Sequence, residues 1–104
     1  MEFVEEEAGE FTFFTHYEDH HLVDHKGRRV GSKVFLIRGF CRWYLSVQVT
    51  RDGLLWGPDP GMDEYEYRAE AEADAQKVLE RHLRYYRRRP HRFKPVPDTP
   101  DEEM

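Results

Sequence analysis

The spacing of apolar residues changes from a two-residue period to a helical period halfway along the chain. Between residues 42 and 50, Trp43, Leu45, Val47 and Val49 alternate strictly with polar residues or tyrosine. This alternation is typical of a β-strand with one buried face. It predicts the clearest strand of the chain, with these four side chains directed toward the core.

Further strands are predicted on both sides of this one. Residues 11–15 are rich in aromatic and β-branched side chains, and residues 34–37 form a continuous apolar run that fits a central strand. Asp52-Gly53 predicts a hairpin turn because both positions tolerate positive φ, and residues 54–56 would form the returning strand. The segment 57–61, with two prolines and two glycines, would end the sheet.

Residues 66–89 follow a helical period instead. Their apolar-face positions are Ala71, Ala75, Val78, Leu79, His82 and Tyr86. Residues spaced in this way line one face of a helix. Acids are concentrated at the beginning of the segment and arginines at its end, which complements the helix dipole. Pro90 cannot continue a helix, so the pattern predicts one long helix over residues 66–89.

Together these elements predict an α+β fold, in which a small antiparallel meander of three to five strands packs against one long C-terminal α-helix. Residues 11–89 would form this single domain. Composition predicts a flexible, acidic lead-in at residues 1–10 and a flexible, proline-rich tail at residues 90–104. The predicted core consists of Phe13, Phe35, Ile37, Trp43, Leu45, Val47, Val49, Trp56, Val78, Leu79 and Tyr86.

Charge along the chain is sorted into blocks. Residues 1–25 contain eight acids and no base, whereas residues 26–51 contain seven bases and no acid. Residues 52–76 are again acidic, residues 77–94 basic and residues 95–104 acidic, and the net charge is −5. Strong local potentials of both signs on a small domain suit docking to a charged partner.

Composition also argues against several classes of protein. The 104 residues are 36% charged, and no apolar run approaches the roughly 18 residues of a membrane span, so we expect no membrane partner. The N-terminus is acidic, unlike a secretory signal, which makes a cytoplasmic location the simplest interpretation. Cys41 is the only cysteine, and we interpret it as a buried structural thiol. No catalytic or cofactor motif is present, so we expect a non-enzymatic protein without a cofactor.

The leading functional hypothesis from the sequence is an adaptor or inhibitor that binds a protein partner. Its candidate surface combines carboxylates with tyrosine rings, which are enriched at protein interfaces. The residues of this surface are Asp63, Glu64, Tyr65, Glu66 and Tyr67. The alternative is that the acids only complement the helix dipole, which leaves the two tyrosines unexplained.

A second hypothesis is nucleic-acid binding through the basic end of the predicted helix. Arginine binds phosphate with two parallel hydrogen bonds, and an exposed Tyr85 or Phe93 would stack on bases. The candidate residues are Lys77, Arg81, Arg84, Tyr85, Arg87, Arg88, Arg89 and Arg92. Against this hypothesis, the pI of 5.7 is far below that of a typical nucleic-acid-binding domain, and the alternative is a solvated helix end.

Three weaker signals remain. His16, His20, His21 and His25 lie within ten residues, and imidazole is a common zinc ligand, but their spacing matches no ordered ligand motif. His82, on the apolar face of the predicted helix, is a candidate for a titratable group with a shifted pKa, the alternative being a hydrogen-bonded residue at the core edge. The tail contains Pro97-Asp98-Thr99-Pro100, a P-x-x-P pattern that often arises by chance.

Overall fold

A computed structural model describes residues 1–97 and confirms the α+β class. Seven strands join one antiparallel sheet, and a single helix covers one of its faces. The elements in chain order are β1 (Val4–Ala8), β2 (Phe11–Val23), β3 (Arg29–Arg38), β4 (Trp43–Arg51), β5 (Leu54–Leu55), β6 (Asp63–Tyr65), α1 (Arg68–Arg87) and β7 (Lys94–Pro95). No helix within these residues combines the length and apolarity needed to cross a bilayer.

Strands β1 to β5 form an antiparallel meander, because each one pairs with the next along the chain. The two remaining strands are short additions: β6 pairs with the first three residues of β4, and β7 pairs with the last two residues of β2. The hairpin between β4 and β5 turns at Asp52 (φ 52°) and Gly53 (φ 82°), the dipeptide that the sequence singles out. The positive φ of both residues is the reason this pair suits the turn.

Strand β2 contains a bulge between Asp19 and Leu22, where its register with β3 shifts. His21 adopts a left-handed backbone conformation there (φ 59°). The carboxylate of Asp19 accepts a hydrogen bond from the N–H of His21 at 2.8 Å, which stabilises the irregular backbone locally. The bulge contains His20, whose side chain reaches the inner face of the sheet near β3.

Helix α1 agrees with the predicted helix to within two residues at each end. At its start, the side chain of Glu70 accepts a hydrogen bond from the N–H of Tyr67 at 3.2 Å. At its end, the N–H of Arg88 donates to the carbonyl of Arg84 at 3.2 Å, and Pro90 follows two residues later.

The core lies between α1 and one face of the sheet. Ala71 and Ala75 are fully buried, and their small side chains let the helix approach the strands closely. This main cluster consists of Phe14, Val34, Leu36, Leu45, Val47, Ala71, Ala75 and Leu79. A second cluster of Val30, Tyr86 and Phe93 joins the C-terminal end of the helix to the sheet.

The predicted core is correct for Leu45, Val47, Leu79 and Tyr86, and wrong in phase along β2 and β3. Phe14, Val34 and Leu36 face the helix, so Phe13, Phe35 and Ile37 lie on the opposite face of the sheet. The cause is the run of apolar residues on both faces of β3, which gives no alternation to fix the phase. Trp56 was also wrongly assigned to the core, since it is 43% exposed. The other predicted core residues, Trp43, Val49 and Val78, are half-buried.

Both segments expected to be flexible contribute strands. Residues 4–8 pair with β2 as an exposed edge strand. Beyond Pro90, Phe93 is only 7% exposed because it packs on Tyr86, and Lys94–Pro95 pairs with β2. One buried aromatic side chain can fix a short polar segment in this way. Residues 98–104, which include most of the P-x-x-P pattern, lie outside the described residues.

Candidate anion-binding groove

A cavity of about 780 Å³ opens where the C-terminal half of α1 meets the end of β4 and the chain beyond the helix. We call it the arginine groove, because six of its lining residues are arginines. It is lined by Val49, Arg51, Arg81, His82, Arg84, Tyr85, Tyr86, Arg88, Arg89, Arg92 and Phe93.

Local structure explains why so many arginines meet here. Arg81, Arg84 and Arg88 are spaced by three and four residues, so they project from one side of α1. After the helix ends, the N–H groups of Arg92 and Phe93 both donate to the carbonyl of Arg89 at 2.9 Å. This turn folds the chain back, and residues from beyond the helix therefore line the same cavity as residues on it.

The floor of the groove is aromatic and rigid. The rings of Tyr86 and Phe93 are almost fully buried and meet edge to face, with their centres 4.7 Å apart. The guanidinium of Arg51 lies 5.6 Å from the centre of the Tyr86 ring and 5.7 Å from that of Phe93. Nε of Arg51 also donates to the carboxylate of Asp24 at 3.2 Å, which holds this arginine in place. Cation–π contacts and the ion pair both hold the guanidinium of Arg51 in place at the floor.

The walls of the groove carry an excess of positive charge. Within residues 1–97, the five wall arginines make no ion pair with a carboxylate. These are Arg81, Arg84, Arg88, Arg89 and Arg92. Arg89 instead donates to the carbonyl of Tyr85 at 2.9 Å and lies over the Tyr85 ring, 3.7 Å from its centre. Concave sites lined by one sign of charge concentrate ligands of the opposite sign.

His82 lines the groove and is connected to the sheet through a buried serine. Its Nδ1 lies 2.7 Å from Oγ of Ser32, and the same hydroxyl lies 2.8 Å from Nε2 of His20. Ser32 is fully buried. Burial lowers the pKa of His82 to about 4, and the neighbouring His20 and Arg81 act in the same direction, so the ring is neutral near pH 7. Burial likewise lowers the pKa of His20.

Six of the eight residues of the nucleic-acid hypothesis line the groove. The other two do not: Lys77 lies 3.9 Å from Asp74 on the preceding turns of α1, and Arg87 faces a different, smaller hollow. Arg51 was not among the residues predicted from the sequence, because the local sequence of β4 does not show that this residue packs against the helix. The sequence hypothesis also assigned Phe93 to base stacking, whereas this ring is buried in the floor of the groove.

The residues of the protein-binding hypothesis divide between structural and exposed positions. Tyr65 packs its ring against the main core and donates its hydroxyl to the carboxylate of Asp74 at 2.7 Å. Burial and the contact with Asp74 raise the pKa of Tyr65 to about 12. Tyr67, in contrast, is 62% exposed, and Glu64 lies 3.8 Å from Arg42. Asp63 and Glu66 are exposed.

The face of the sheet opposite α1 carries a second, apolar surface. We call it the open sheet face, and it consists of Phe11, Phe13, Phe35, Ile37, Tyr44, Leu55 and Met62. A hollow of about 320 Å³ lies between five of these residues. Acids border the surface: Glu6 is the β1 partner of Phe13, Glu64 is the β6 partner of Tyr44, and Asp59 lines its far side.

The structure does not bring the four N-terminal histidines together. His16 lies within 2.8 Å of both the carbonyl of Glu2 and the carboxylate of Glu18, and His20 contacts Ser32, while His21 and His25 are exposed. Within residues 1–97, no three His, Cys, Asp or Glu side chains are arranged to hold a metal ion. Cys41 was expected to be buried, but it is exposed in the turn between β3 and β4, where no strand covers it.

No protein-family model, curated protein or solved structure matches this chain. The function proposed below is therefore inferred from the residues and their arrangement.

Proposed function

We propose that the protein binds nucleic acid through the arginine groove, mainly by contacts with phosphate groups. The observation that carries this proposal is the convergence of six arginines on one cavity, five of them without a carboxylate partner in residues 1–97. Guanidinium groups match phosphate oxygens in geometry and charge, and release of counterions from the nucleic acid adds to the affinity.

The aromatic residues of the groove favour phosphate contacts over base stacking. Phe93 is only 7% exposed, so its ring offers no free face to a base. One face of the Tyr85 ring is covered by the guanidinium of Arg89, and the ring lies nearly perpendicular to that of Tyr86. Stacking platforms on single-strand-binding proteins need accessible ring faces. We therefore expect duplex to bind at least as tightly as a single strand of the same sequence.

The acidic composition is compatible with this function because five of the acids lie at the end of the sheet that is remote from the groove. Strands β1 and β6, which carry five acids between them, both lie where β4 begins. Arg51, in the floor of the groove, is the last residue of β4. At about 3.3 Å per residue, the eight steps from Trp43 to Arg51 span about 26 Å, well beyond the screening length of about 8 Å at physiological salt.

The test is a titration of a fluorescein-labelled 20-base-pair DNA duplex, and of one of its strands, followed by anisotropy. The Arg84→Glu/Arg88→Glu variant reverses the charge of two wall arginines and should weaken binding of the duplex at least tenfold. The Arg38→Glu/Arg42→Glu variant makes the same charge change at exposed positions away from the groove, and we expect its affinity to stay within about threefold of native. If four or five arginines engage phosphates, the logarithmic salt slope should be about −3 to −4. Native protein that fails to bind below about 10⁻⁴ M would contradict the proposal.

As a second candidate we propose that the open sheet face binds a protein partner whose own surface is apolar and bordered by basic residues. Phe11, Leu55 and Met62 are each about half exposed or more, and they lie in one continuous apolar surface. Such surfaces often mark interaction sites. The bordering acids, Glu6 and Glu64 among them, supply the complementarity to basic residues. This candidate keeps Glu64 from the sequence hypothesis and replaces Tyr65 by the apolar side chains.

A pull-down from nuclease-treated lysate separates the two candidates when three forms of the protein are compared. We expect one partner protein to be captured by the native chain and by the Arg84→Glu/Arg88→Glu variant. The Phe11→Ser/Met62→Ser variant should fail to capture it. Both serine positions are exposed, so the fold should tolerate them. Equal recovery of all proteins by the three forms would contradict the second candidate. Sedimentation showing a dimer that only the serine variant abolishes would instead assign the open sheet face to a second copy of the chain.

A further inference from the structure

The hydrogen-bond chain from His20 through Ser32 to His82 has a definite direction. The serine hydroxyl has one proton, so it donates to only one of the two ring nitrogens that lie 2.8 and 2.7 Å from it. The other histidine must then donate its own N–H to the serine oxygen. Both rings are neutral near pH 7 because burial lowers the pKa of each. Two arrangements satisfy these conditions, and they place opposite nitrogens of His82 in the donor role.

The surroundings favour the arrangement in which Ser32 donates to Nδ1 of His82. In the opposite arrangement His20 would carry its proton on Nδ1, where no acceptor lies within hydrogen-bond distance in residues 1–97. His20 is only 8% exposed, so that N–H would depend on the small amount of solvent that reaches the ring, which disfavours this arrangement. With Ser32 donating to His82, both rings also take the Nε2–H form, which neutral imidazole prefers. His82 then carries its proton on Nε2, the nitrogen that Ser32 does not contact.

Burial keeps this donor neutral, and the groups around His82 act in the same direction. Arg81 precedes it on α1, Arg51 lines the same groove from β4, and His20 approaches from β2 through Ser32 of β3. All these groups are positive or neutral, so none of them favours a protonated ring. A phosphate in the groove would accept hydrogen bonds from the arginines, and His82 would offer it one more donor of fixed orientation.

We infer that His82 is a ligand-binding residue of the arginine groove, which donates a hydrogen bond from Nε2 to a phosphate oxygen, and that Ser32 and His20 are positioning residues that hold its ring in this form. This inference rests on the proposed nucleic-acid binding. It assigns a function to a residue that sequence periodicity places only on the apolar face of the helix. The arginines would bind the phosphates by charge, whereas His82 would fix where one of them sits on the groove floor.

Two substitutions at His82 distinguish its two nitrogens. The side-chain amide of glutamine reaches the position of Nε2, whereas that of asparagine reaches only the position of Nδ1. His82→Gln should therefore bind the labelled 20-base-pair duplex within about twofold of native. His82→Asn should lose about tenfold or more, as expected for one hydrogen bond to a charged acceptor. Thermal melts of both variants check that their folds are comparable.

Long-range ¹H–¹⁵N NMR of the native protein at pH 7 reads the protonated nitrogen directly and needs no ligand. We expect Nε2–H on both His20 and His82. A proton on Nδ1 of His82 would overturn the inference, and so would equal losses of affinity in the two variants, while duplex binding by the native chain would still support the proposed function. A native chain that binds no duplex at all would overturn both.

Discussion

Asp24 and Arg51, 27 residues apart in sequence, form a buried ion pair at the edge of the arginine groove. Oδ2 of Asp24 accepts from Nε of Arg51 at 3.2 Å and from Nε of Arg28 at 2.8 Å. Oδ1 accepts from the N–H groups of Lys26 and Arg28. One carboxylate therefore shapes the β2–β3 turn and anchors the arginine of the groove floor. Although burial opposes the charge, these hydrogen bonds lower the pKa of Asp24 to about 2.

Asp24→Asn should destabilise the protein by on the order of 2 kcal/mol, because it removes the charge that Arg28 and Arg51 share. The folded-state pKa lies below the unfolded value, so this contribution is present above about pH 4 and is lost as pH falls toward about 2. Urea unfolding at several pH values measures both effects. Glu66→Gln, which removes one charge from an exposed side chain, should change stability by less than about 0.5 kcal/mol. Equal effects of the two substitutions would contradict this account of Asp24.

The lowered pKa of His82 predicts that the stability of the protein also depends on pH in a second, higher range. Because its pKa is lowered to about 4 on folding, the unfolded chain takes up a proton between about pH 6.5 and pH 4 that the folded chain does not. Stability should therefore fall across this range as pH decreases, by on the order of 2 kcal/mol after allowance for solvent near the ring. His82→Gln should reduce the dependence, whereas His91→Gln, at an exposed position, should leave it unchanged. If the unfolding free energy changed with pH at the same slope in the native protein and in both variants, the assignment of this pH dependence to His82 would be contradicted.

Leu79 should be the most sensitive helix position. It is 5% exposed and packs with Ala75 against the sheet, so Leu79→Ala should cost about 2–4 kcal/mol through the cavity it leaves. Leu79→Asp should unfold the domain, since it buries an unpaired charge. Leu54→Asp makes the same chemical change at a residue that is 72% exposed and should melt like the native protein. A cooperative native-like melt of Leu79→Asp, followed by circular dichroism, would contradict the packing of α1 on the sheet.

The two tyrosines of the acidic segment should differ in their effect on stability. Tyr65→Phe removes the hydrogen bond to Asp74 and should cost about 1 kcal/mol, because the partner carboxylate loses a donor. Tyr67→Phe changes a side chain that is 62% exposed and should leave the unfolding free energy unchanged within about 0.5 kcal/mol. Unfolding both variants with guanidinium measures these two changes in unfolding free energy. If Tyr67→Phe lowered the unfolding free energy more than Tyr65→Phe does, the segment would pack differently from the structure.

The sequence was informative where a single period dominates. Strand β4 alternates strictly and α1 repeats every three to four residues, so both elements were predicted almost to their ends. It was uninformative where apolar residues occupy both faces, as in β3. There the choice between Val34 and Phe35 for the core depends on which face the helix covers, which is a property of the tertiary structure.

The groove was predictable only in part for the same reason. Its helical arginines are close in sequence and share one side of α1, so a local pattern finds them. Arg51 and Ser32 belong to strands. Arg51 lines the groove and Ser32 contacts His82 only because Val30, Tyr86 and Phe93 join the end of the helix to the sheet. A contact between residues 50 positions apart, such as that of Ser32 with His82, leaves no periodic signal in one sequence.

The five acids of β1 and β6 near the start of β4 and the arginines of the groove at its end contribute a component of an electric dipole along the sheet. If the groove binds nucleic acid as proposed, this component would turn the groove toward the polyanion before contact and would raise the fraction of productive encounters. Once bound, each copy would point its acidic end away from the duplex. Neighbouring copies would then repel one another through these outward ends, which would limit how densely they coat a nucleic acid at low ionic strength.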